Sequence, residues 1–264
     1  MSELERPEVY VYLLPILVPA GALKGGVAVV VDVLRATTVM VHALAAGCES
    51  VIPCLEIEDA RRTAGSLPPG RALLAGERKG LPIPGFDLGN SPEAFTPAAC
   101  GGRTVVMTTT NGTRALLASL EAERVVVGAF PNFAATVQLL HGDHRPIHVV
   151  CAGTDGFVSY EDSLLAGAYA KHFKDLGATL RNDEAEVVAG LWARVEDSIW
   201  VKSGDRAAEK NPLVRYLTRG RGGQRVLELG LGADIDAAAR FNSLEPRLAA
   251  ELKRDPLRIV AVGH

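Results

Sequence analysis

At 264 residues, 48% hydrophobic and 22% charged, the chain can bury a sizeable core in one large domain or two closely packed lobes. Its 28 Lys+Arg against 31 Asp+Glu leave a formal charge of −3, which excludes the global basic field that nucleic acid or an anionic membrane would require; any anion site must be local. Met1-Ser2-Glu3-Leu4-Glu5-Arg6 is acidic where a secretory signal would be basic, and the apolar run 9–18, broken by Pro15, is too short to span a bilayer.

In chain order, residues 10–14 read as a first strand and 27–31 as a second. The β-branched run Val27-Ala28-Val29-Val30-Val31 suits a strand covered on both faces, as in parallel sheets. Asp32 then stands at the strand's carboxyl end, where open α/β sheets place ligands, although an Asp there also serves as a turn or cap residue. A helix over 36–46 ends at Gly47, a strand covers 51–54 and a helix 58–64. The Pro/Gly-rich stretch 67–97 reads as one long irregular loop, a length uncommon unless functional, and a lid is one role for it. Strand 104–107, loop 108–113 and helix 114–120 repeat the opening arrangement. Strand 125–127, helix 133–140, strand 147–151 and a helix from about Ser159 follow.

Beyond Gly177 the pattern weakens. Helices are predicted over 184–195, 212–217, 234–241 and 248–252, a turn at Gly220-Arg221-Gly222-Gly223, and a closing strand over 257–262. Recurring strand, loop and helix predict right-handed βαβ units in a layered α/β/α fold with a largely parallel or mixed sheet. Residues 1–264 read as a single α/β domain, with room for two closely packed lobes divided near 177–183. Cys48, Cys54, Cys100 and Cys151 contain no CxxC pair; buried reduced thiols in a cytoplasmic protein are expected.

Polar groups collect at three strand ends: Asp32 and Arg35; Thr109, Thr110, Asn111 and Thr113; Glu161 and Asp162. If those strands are parallel neighbours, the groups meet in one crevice suited to a hard cation and a phosphoryl group, with Mg²⁺ the natural ion. Each has a plainer reading. Glu161 and Asp162 could serve only the helix dipole behind a Ser159 cap, and Thr110-Asn111-Gly112-Thr113 could be a tight turn. Glu77-Arg78-Lys79 could be a positive lid or a solvated turn, while Asp87 and Asn90-Ser91-Pro92 are good turn formers. His141, His144 and His148 span a loop and a strand start without a metal-binding register. One Arg219-Gly220-Arg221-Gly222-Gly223 copy in an acidic protein reads as an exposed turn rather than an RNA element.

Five motifs, in order, resemble the 2-phosphosulfolactate phosphatase family: Val-Val-Asp32-Val-Leu-Arg35-Ala-Thr37-Thr38; Gly76-Glu77-Arg78; Gly85-Phe-Asp-Leu-Gly-Asn-Ser-Pro92; Thr109-Thr110-Asn111-Gly112-Thr113-Arg114; and Cys151-Ala-Gly followed by Glu161-Asp162. Asp234-Ile235 with Pro246 is a weaker continuation. Departures from the family pattern fall at Val158, Tyr160 and Ala238-Ala239.

The resemblance implies a Mg²⁺-dependent phosphatase with a fold peculiar to the family. It would hydrolyse (2R)-2-phospho-3-sulfolactate to 3-sulfolactate and phosphate, a step toward coenzyme M. On this hypothesis Asp32, Glu161 and Asp162 hold the metal, and Thr37, Thr38 and Thr109 through Thr113, with Gly112, meet the oxyanions. Arg35 clamps the substrate, and Arg78, Lys79 and Arg114 add positive charge. Glu77 orients water or joins the metal.

An aspartyl-phosphate on Asp32 is disfavoured, because Leu34 stands where that chemistry places a second Asp. Other readings are a Mg²⁺-dependent phosphatase of another small phosphorylated hydroxy acid, or a non-catalytic module that binds an acidic metabolite. The sequence does not set the oligomeric state; a homodimer is the commonest arrangement.

Overall fold

Val27–Val31 is buried at every residue and pairs in parallel with a strand on each side, so both of its faces are covered. Each of its valines contributes about 1.5–3 kcal/mol of burial. A computed structural model describes residues 7–200, 211–245 and 248–263; the acidic N-terminal hexapeptide and Pro246 lie outside them.

The elements begin with β1 (Glu8–Tyr12), β2 (Val27–Val31), α1 (Ala36–Ala45), β3 (Ser50–Pro53), α2 (Ile57–Ser66), β4 (Ala72–Arg78) and β5 (Leu81–Pro82). Next come α3 (Pro97–Cys100), β6 (Thr104–Thr108), α4 (Gly112–Ala118), β7 (Arg124–Gly128), α5 (Phe133–Leu140), β8 (Ile147–Cys151) and α6 (Tyr160–Asp175). The chain closes with β9 (Thr179–Leu180), α7 (Asp183–Trp200), α8 (Pro212–Leu217), α9 (Arg221–Glu228), α10 (Gly232–Ala238), β10 (Ala249–Arg254) and β11 (Leu257–Val262).

The strands form one mixed, largely parallel sheet in the order β5-β4-β6-β3-β11-β10-β7-β2-β8-β1-β9. β4, β6 and β3 make one parallel wing. β7, β2, β8, β1 and β9 make the other. The hairpin β10–β11 joins them through three successive antiparallel pairings, Ala250 opposite Val127, Glu251 opposite Val260 and Ile259 opposite Val51. Three reversals leave the wings running in opposite senses.

The layered α/β expectation holds, and packing shows how the wings meet. Val27, Val29 and Val31 face Tyr169 of α6 and Trp192 of α7. On the opposite face, Ala28 and Val30 share a core with Met40 of α1, Leu116 of α4, and Val105 and Met107 of β6. α1 and α4 are therefore held between the wings, while α2 covers the outside of the smaller one through Ala60 against Val106.

Three local expectations need correction. Residues 67–97 are not one irregular loop: Ala72–Arg78 is a strand in parallel register with β6, from Ala72 opposite Thr104 to Gly76 opposite Thr108. Its sequence lacks β-branched residues, so pairing rather than propensity makes it a strand. Gly76 is required there, since its φ is 152° and a Cβ would overlap the Thr108 carbonyl oxygen. Residues 248–252 have helix-forming composition but enter β10, where neighbours on both sides take their backbone hydrogen bonds. Gly220 through Gly223 do not form an exposed turn; they open α9.

Among the described residues, no helix is long and apolar enough to cross a membrane. All four cysteines are unpaired and buried. His148 is a core residue stacked on Tyr10 and Tyr12, with ring centroids 5.0 and 6.0 Å away, and burial lowers its pKa from 6.5 to about 4. Its neutral ring belongs to the fold, and protonation opposes it.

Candidate active site

β2 ends in a turn built by its own side chains. The Asp32 N–H donates to Thr37 Oγ1 (3.0 Å), the Thr37 hydroxyl donates back to the Asp32 carbonyl (2.9 Å), and the Thr38 hydroxyl donates to the Val33 carbonyl (2.8 Å). Thr37 and Thr38 are fully buried in this role and are not among the residues that line the cavity beside Asp32. The turn leaves the Asp32 carboxylate pointing out of the strand end, with Oδ1 accepting the Ala36 N–H at 3.2 Å. α4 comes close beside it. A Cβ at Gly112 would lie 2.7 Å from Asp32 Oδ2 and overlap the Ala36 side chain, so only glycine permits this approach.

Asp162, in the first turn of α6, ties two strand ends together. Its Oδ1 accepts the Val33 N–H (2.8 Å) and its Oδ2 the Gly153 N–H (3.0 Å). Glu161 is buried beside it, and its Oε2 has no hydrogen-bond partner. The glycines of α9 fit against that carboxylate: a Cβ at 220 would lie 2.5 Å from Oε2, and one at 222 would overlap Oε1. Glu77 reaches in from β4, accepting the Thr110 N–H at 2.8 Å and the Gly80 N–H at 2.7 Å.

Four buried carboxylates thus share a small volume. Burial raises the Asp32 pKa from its ordinary 3.8 to about 7; Glu77 and Glu161 add to the rise, while the Ala36 N–H and Arg35 oppose it. Burial also holds Asp162 well up, reinforced by Asp32 and Glu161. Glu161 is raised chiefly by burial, against hydrogen bonding from Ser159 and its own backbone N–H.

Arg35 relieves little of this charge. Its Nη1 donates to Asp234 Oδ2 at 2.6 Å, its Nη2 to the Gly80 carbonyl at 2.8 Å, and Ser91 Oγ donates to the same Asp234 oxygen at 3.0 Å. The guanidinium bolts α10, the β4–β5 turn and the segment around Ser91 to the β2 end.

These groups surround a cavity of about 600 Å³. Of the residues expected at the site, Asp32, Arg35, Glu77, Lys79, Thr109, Thr110 and Asn111 line it. Gly112, Glu161 and Asp162 stand directly behind the lining, in contact with Asp32 through space or charge. Thr113 is turned to structure, exchanging hydrogen bonds with Thr109 at 3.2 Å.

The structure does not bring Arg78 or Arg114 to the cavity. Alternation along β4 sends Arg78 to the face opposite Glu77, where it donates to the Glu77 carbonyl (2.8 Å) and to Thr108 Oγ1 (2.9 Å). Arg114 is exposed on α4. Conversely, Asn90, Asp155, Arg221, Gln224 and Arg225 line the cavity without having been expected there. For Arg221, Gln224 and Arg225 the signal was the three glycines within 220–223, which mark a close backbone approach as readily as a turn.

The crevice also forms differently from expectation. Asp32 and the Glu161-Asp162 pair do follow neighbouring parallel strands, β2 and β8. Glu77 and the Thr109–Gly112 loop follow β4 and β6 of the opposite wing, with four strands between β6 and β2. They meet because α1 and α4 are packed between the wings.

Chemically, the site offers an acidic floor beside groups able to meet oxyanions. Thr110 Oγ1, a hydroxyl that can donate to an oxyanion, is buried without a hydrogen-bond partner; Asn90 Oδ1 is also buried and unpartnered, but as an amide oxygen it accepts only. Among the described residues no three His, Cys, Asp or Glu side chains form a ready-made metal cage. Mg²⁺ needs only one or two carboxylates, with water and substrate phosphate completing its shell. Asp32 Oδ2 and the unpartnered Glu161 Oε2 fit that requirement, while both Asp162 oxygens already accept backbone N–H groups.

Comparison with known proteins bears on the family rather than on the metal. The family model for 2-phosphosulpholactate phosphatase matches residues 12–246. A probable 2-phosphosulfolactate phosphatase of Parasynechococcus marenigrum is 43% identical over 188 residues, 70% of this chain and 77% of that protein. One from a Synechococcus species is 42% identical over 223 residues, covering 83% and 84%. One from Symbiobacterium thermophilum is 36% identical over 226 residues, covering 86% and 91%.

Proposed function

The chain belongs to the 2-phosphosulpholactate phosphatase family, and from that premise we propose that it hydrolyses (2R)-2-phospho-3-sulfolactate to 3-sulfolactate and phosphate with Mg²⁺ as cofactor. The observation that carries the cofactor is the excess of buried carboxylates: Asp32 feels the charge of Glu77, Glu161 and Asp162, all buried, while the nearby Arg35 is neutralised by Asp234. Such a cluster would be balanced by a divalent cation held at its carboxylates.

Asp32 and Glu161 would hold the ion, and Asp162 keeps both in place by fixing the loops after β2 and β8. Bound Mg²⁺ supplies charge neutralisation at the phosphoryl oxygens and at the departing alkoxide. The Thr110 hydroxyl and the loop opening α4 receive phosphoryl oxygens. Glu77 acts as a positioning residue, since both its oxygens accept backbone N–H groups that shape the cavity rim. Water adds to phosphorus as the ester P–O bond breaks, and sulfolactate leaves with its 2-oxygen, which takes a proton. In a cell that makes coenzyme M this is a step toward it. Buried, unpaired cysteines support a reducing compartment such as the cytoplasm.

The test is phosphate release from 2-phosphosulfolactate in Mg²⁺, after chelation, and after Mg²⁺ is restored. Release that stops with the chelator and returns with the metal is expected. Release indifferent to chelation would remove the cofactor from the account, and none under any condition would leave a module that binds the acid without turning it over.

A further inference from the structure

Beyond the acidic floor, the cavity has a basic wall that the reaction at phosphorus does not use. Lys79, at the tip of the β4–β5 turn, and Arg221, at the start of α9, both line it, and neither makes an ion pair among the described residues. Both are exposed at the mouth rather than sunk in the floor.

Arg221 is also held in place. Its guanidinium carbon lies 4.2 Å from the centre of the Phe157 ring. Phe157 in turn sits in a tight turn closed by the Thr154 N–H to the Phe157 carbonyl (2.8 Å) and the Phe157 N–H to the Thr154 carbonyl (3.0 Å). Arg225, one helical turn along α9, donates to the Lys79 carbonyl at 3.2 Å, so the two halves of the wall are joined. Glu228 and Asp155 also line the cavity, but Glu228 faces Arg225, 4.0 Å away.

We propose that Arg221, with Lys79, receives the sulfonate of the substrate and so sets its specificity. This rests on the phosphatase reading above. In 2-phospho-3-sulfolactate the phosphoryl oxygen and the carboxylate share one carbon, and the sulfonate sits on the next. With the phosphoryl group at Asp32 and the α4 loop, the sulfonate, one carbon further from the ester carbon than the carboxylate, is the group that reaches outward to the rim. A sulfonate keeps its charge at every working pH and is a weak base, so it is matched by fixed cations rather than by a proton-sharing partner. A guanidinium flattened on an aromatic ring offers its N–H edge without further ordering.

The experiment measures kcat and KM for 2-phosphosulfolactate and for 2-phospholactate, which lacks the sulfonate, in wild type, Arg221→Ala, Arg221→Lys and Lys79→Ala, each with Mg²⁺. Calorimetric binding of 3-sulfolactate to each protein is measured alongside. Loss of a charge-assisted contact is expected to lower the kcat/KM preference for the sulfonated substrate by about 10- to 100-fold in Arg221→Ala. The change should fall mainly on KM, with part restored in Arg221→Lys and 3-sulfolactate affinity falling in step. An unchanged preference together with unchanged 3-sulfolactate binding overturns the proposal. If wild type hydrolyses neither substrate, the phosphatase reading fails by itself. The sulfonate site is then judged on binding alone: weaker 3-sulfolactate binding in Arg221→Ala supports it and equal binding overturns it.

Discussion

Replacing Asp32 with Asn is expected to lower phosphate release by about 10³-fold or more while leaving the metal-free protein as stable as wild type or more so. The amide retains the shape of the carboxylate and can still accept the Ala36 N–H, so the turn after β2 survives. What disappears is the charge. The Asp32 carboxyl titrates near 7 in the fold against an ordinary 3.8, because burial, then Glu77 and Glu161, oppose its ionised form.

Between those values the folded protein keeps a proton that the unfolded chain has released, so stability falls as pH rises through the window and stays lowered above it. The shift from 3.8 to about 7 bounds that loss at on the order of 4 kcal/mol, and Asn removes it. Thermal unfolding of both proteins at pH 5 and pH 8, without metal, reads the effect. The advantage of Asn should be larger at pH 8. Mg²⁺ should then stabilise wild type and not the variant, since only wild type binds it in the native state. A variant that loses stability together with activity would show that Asp32 is a structural residue.

The second large effect belongs to the Arg35–Asp234 pair. Both side chains are about 95% buried (4% and 5% exposed), and the contact joins α10 to the end of β2 across most of the chain. Removing one partner strands the other charge, so Asp234→Ala should lower unfolding stability by about 3–5 kcal/mol. It should also free the Gly80 turn and Ser91, which Arg35 and Asp234 jointly hold. Urea unfolding measures the first effect. The double variant Arg35→Met with Asp234→Leu should recover much of that stability, because a well-packed apolar pair replaces a buried ion pair at little net cost. Phosphate release should not recover with it. A single-variant loss below about 1 kcal/mol, the range of an exposed pair, would mean that the bolt is not built as described.

These two positions also show what the sequence made legible. Asp32 stood out because Val27–Val31 is apolar on every residue and then stops at a carboxylate, a local pattern that names both the strand and the end that opens on the cavity. Glu161 and Asp162 were legible for the same reason, behind Ile147–Cys151. Arg35 was legible as an arginine at the strand end but not as a partnered one, since Asp234 lies 199 residues later and no local rule joins them.

Arg78 and Lys79 were indistinguishable until Ala72–Arg78 was known to be a strand; its alternation puts Glu77 inside and Arg78 outside, and the following turn puts Lys79 at the mouth. α9 is not legible locally because its glycines signal freedom to turn, whereas Gly220 and Gly222 admit the Glu161 carboxylate and Gly223 the Leu217 carbonyl. The opposed wings were beyond local reading altogether. They follow from the β10–β11 hairpin, whose first strand has helix-forming composition and becomes a strand only because β7 and β11 flank it.

The measurement that bears most directly on the account is a crystal structure grown with Mg²⁺ and 3-sulfolactate. The ion is expected against Asp32 and Glu161, with Asp162 still accepting the Val33 and Gly153 N–H groups and the organic acid in the cavity with its sulfonate toward Arg221. A metal bound away from Asp32, or the acid bound outside the cavity between the two wings, would contradict it.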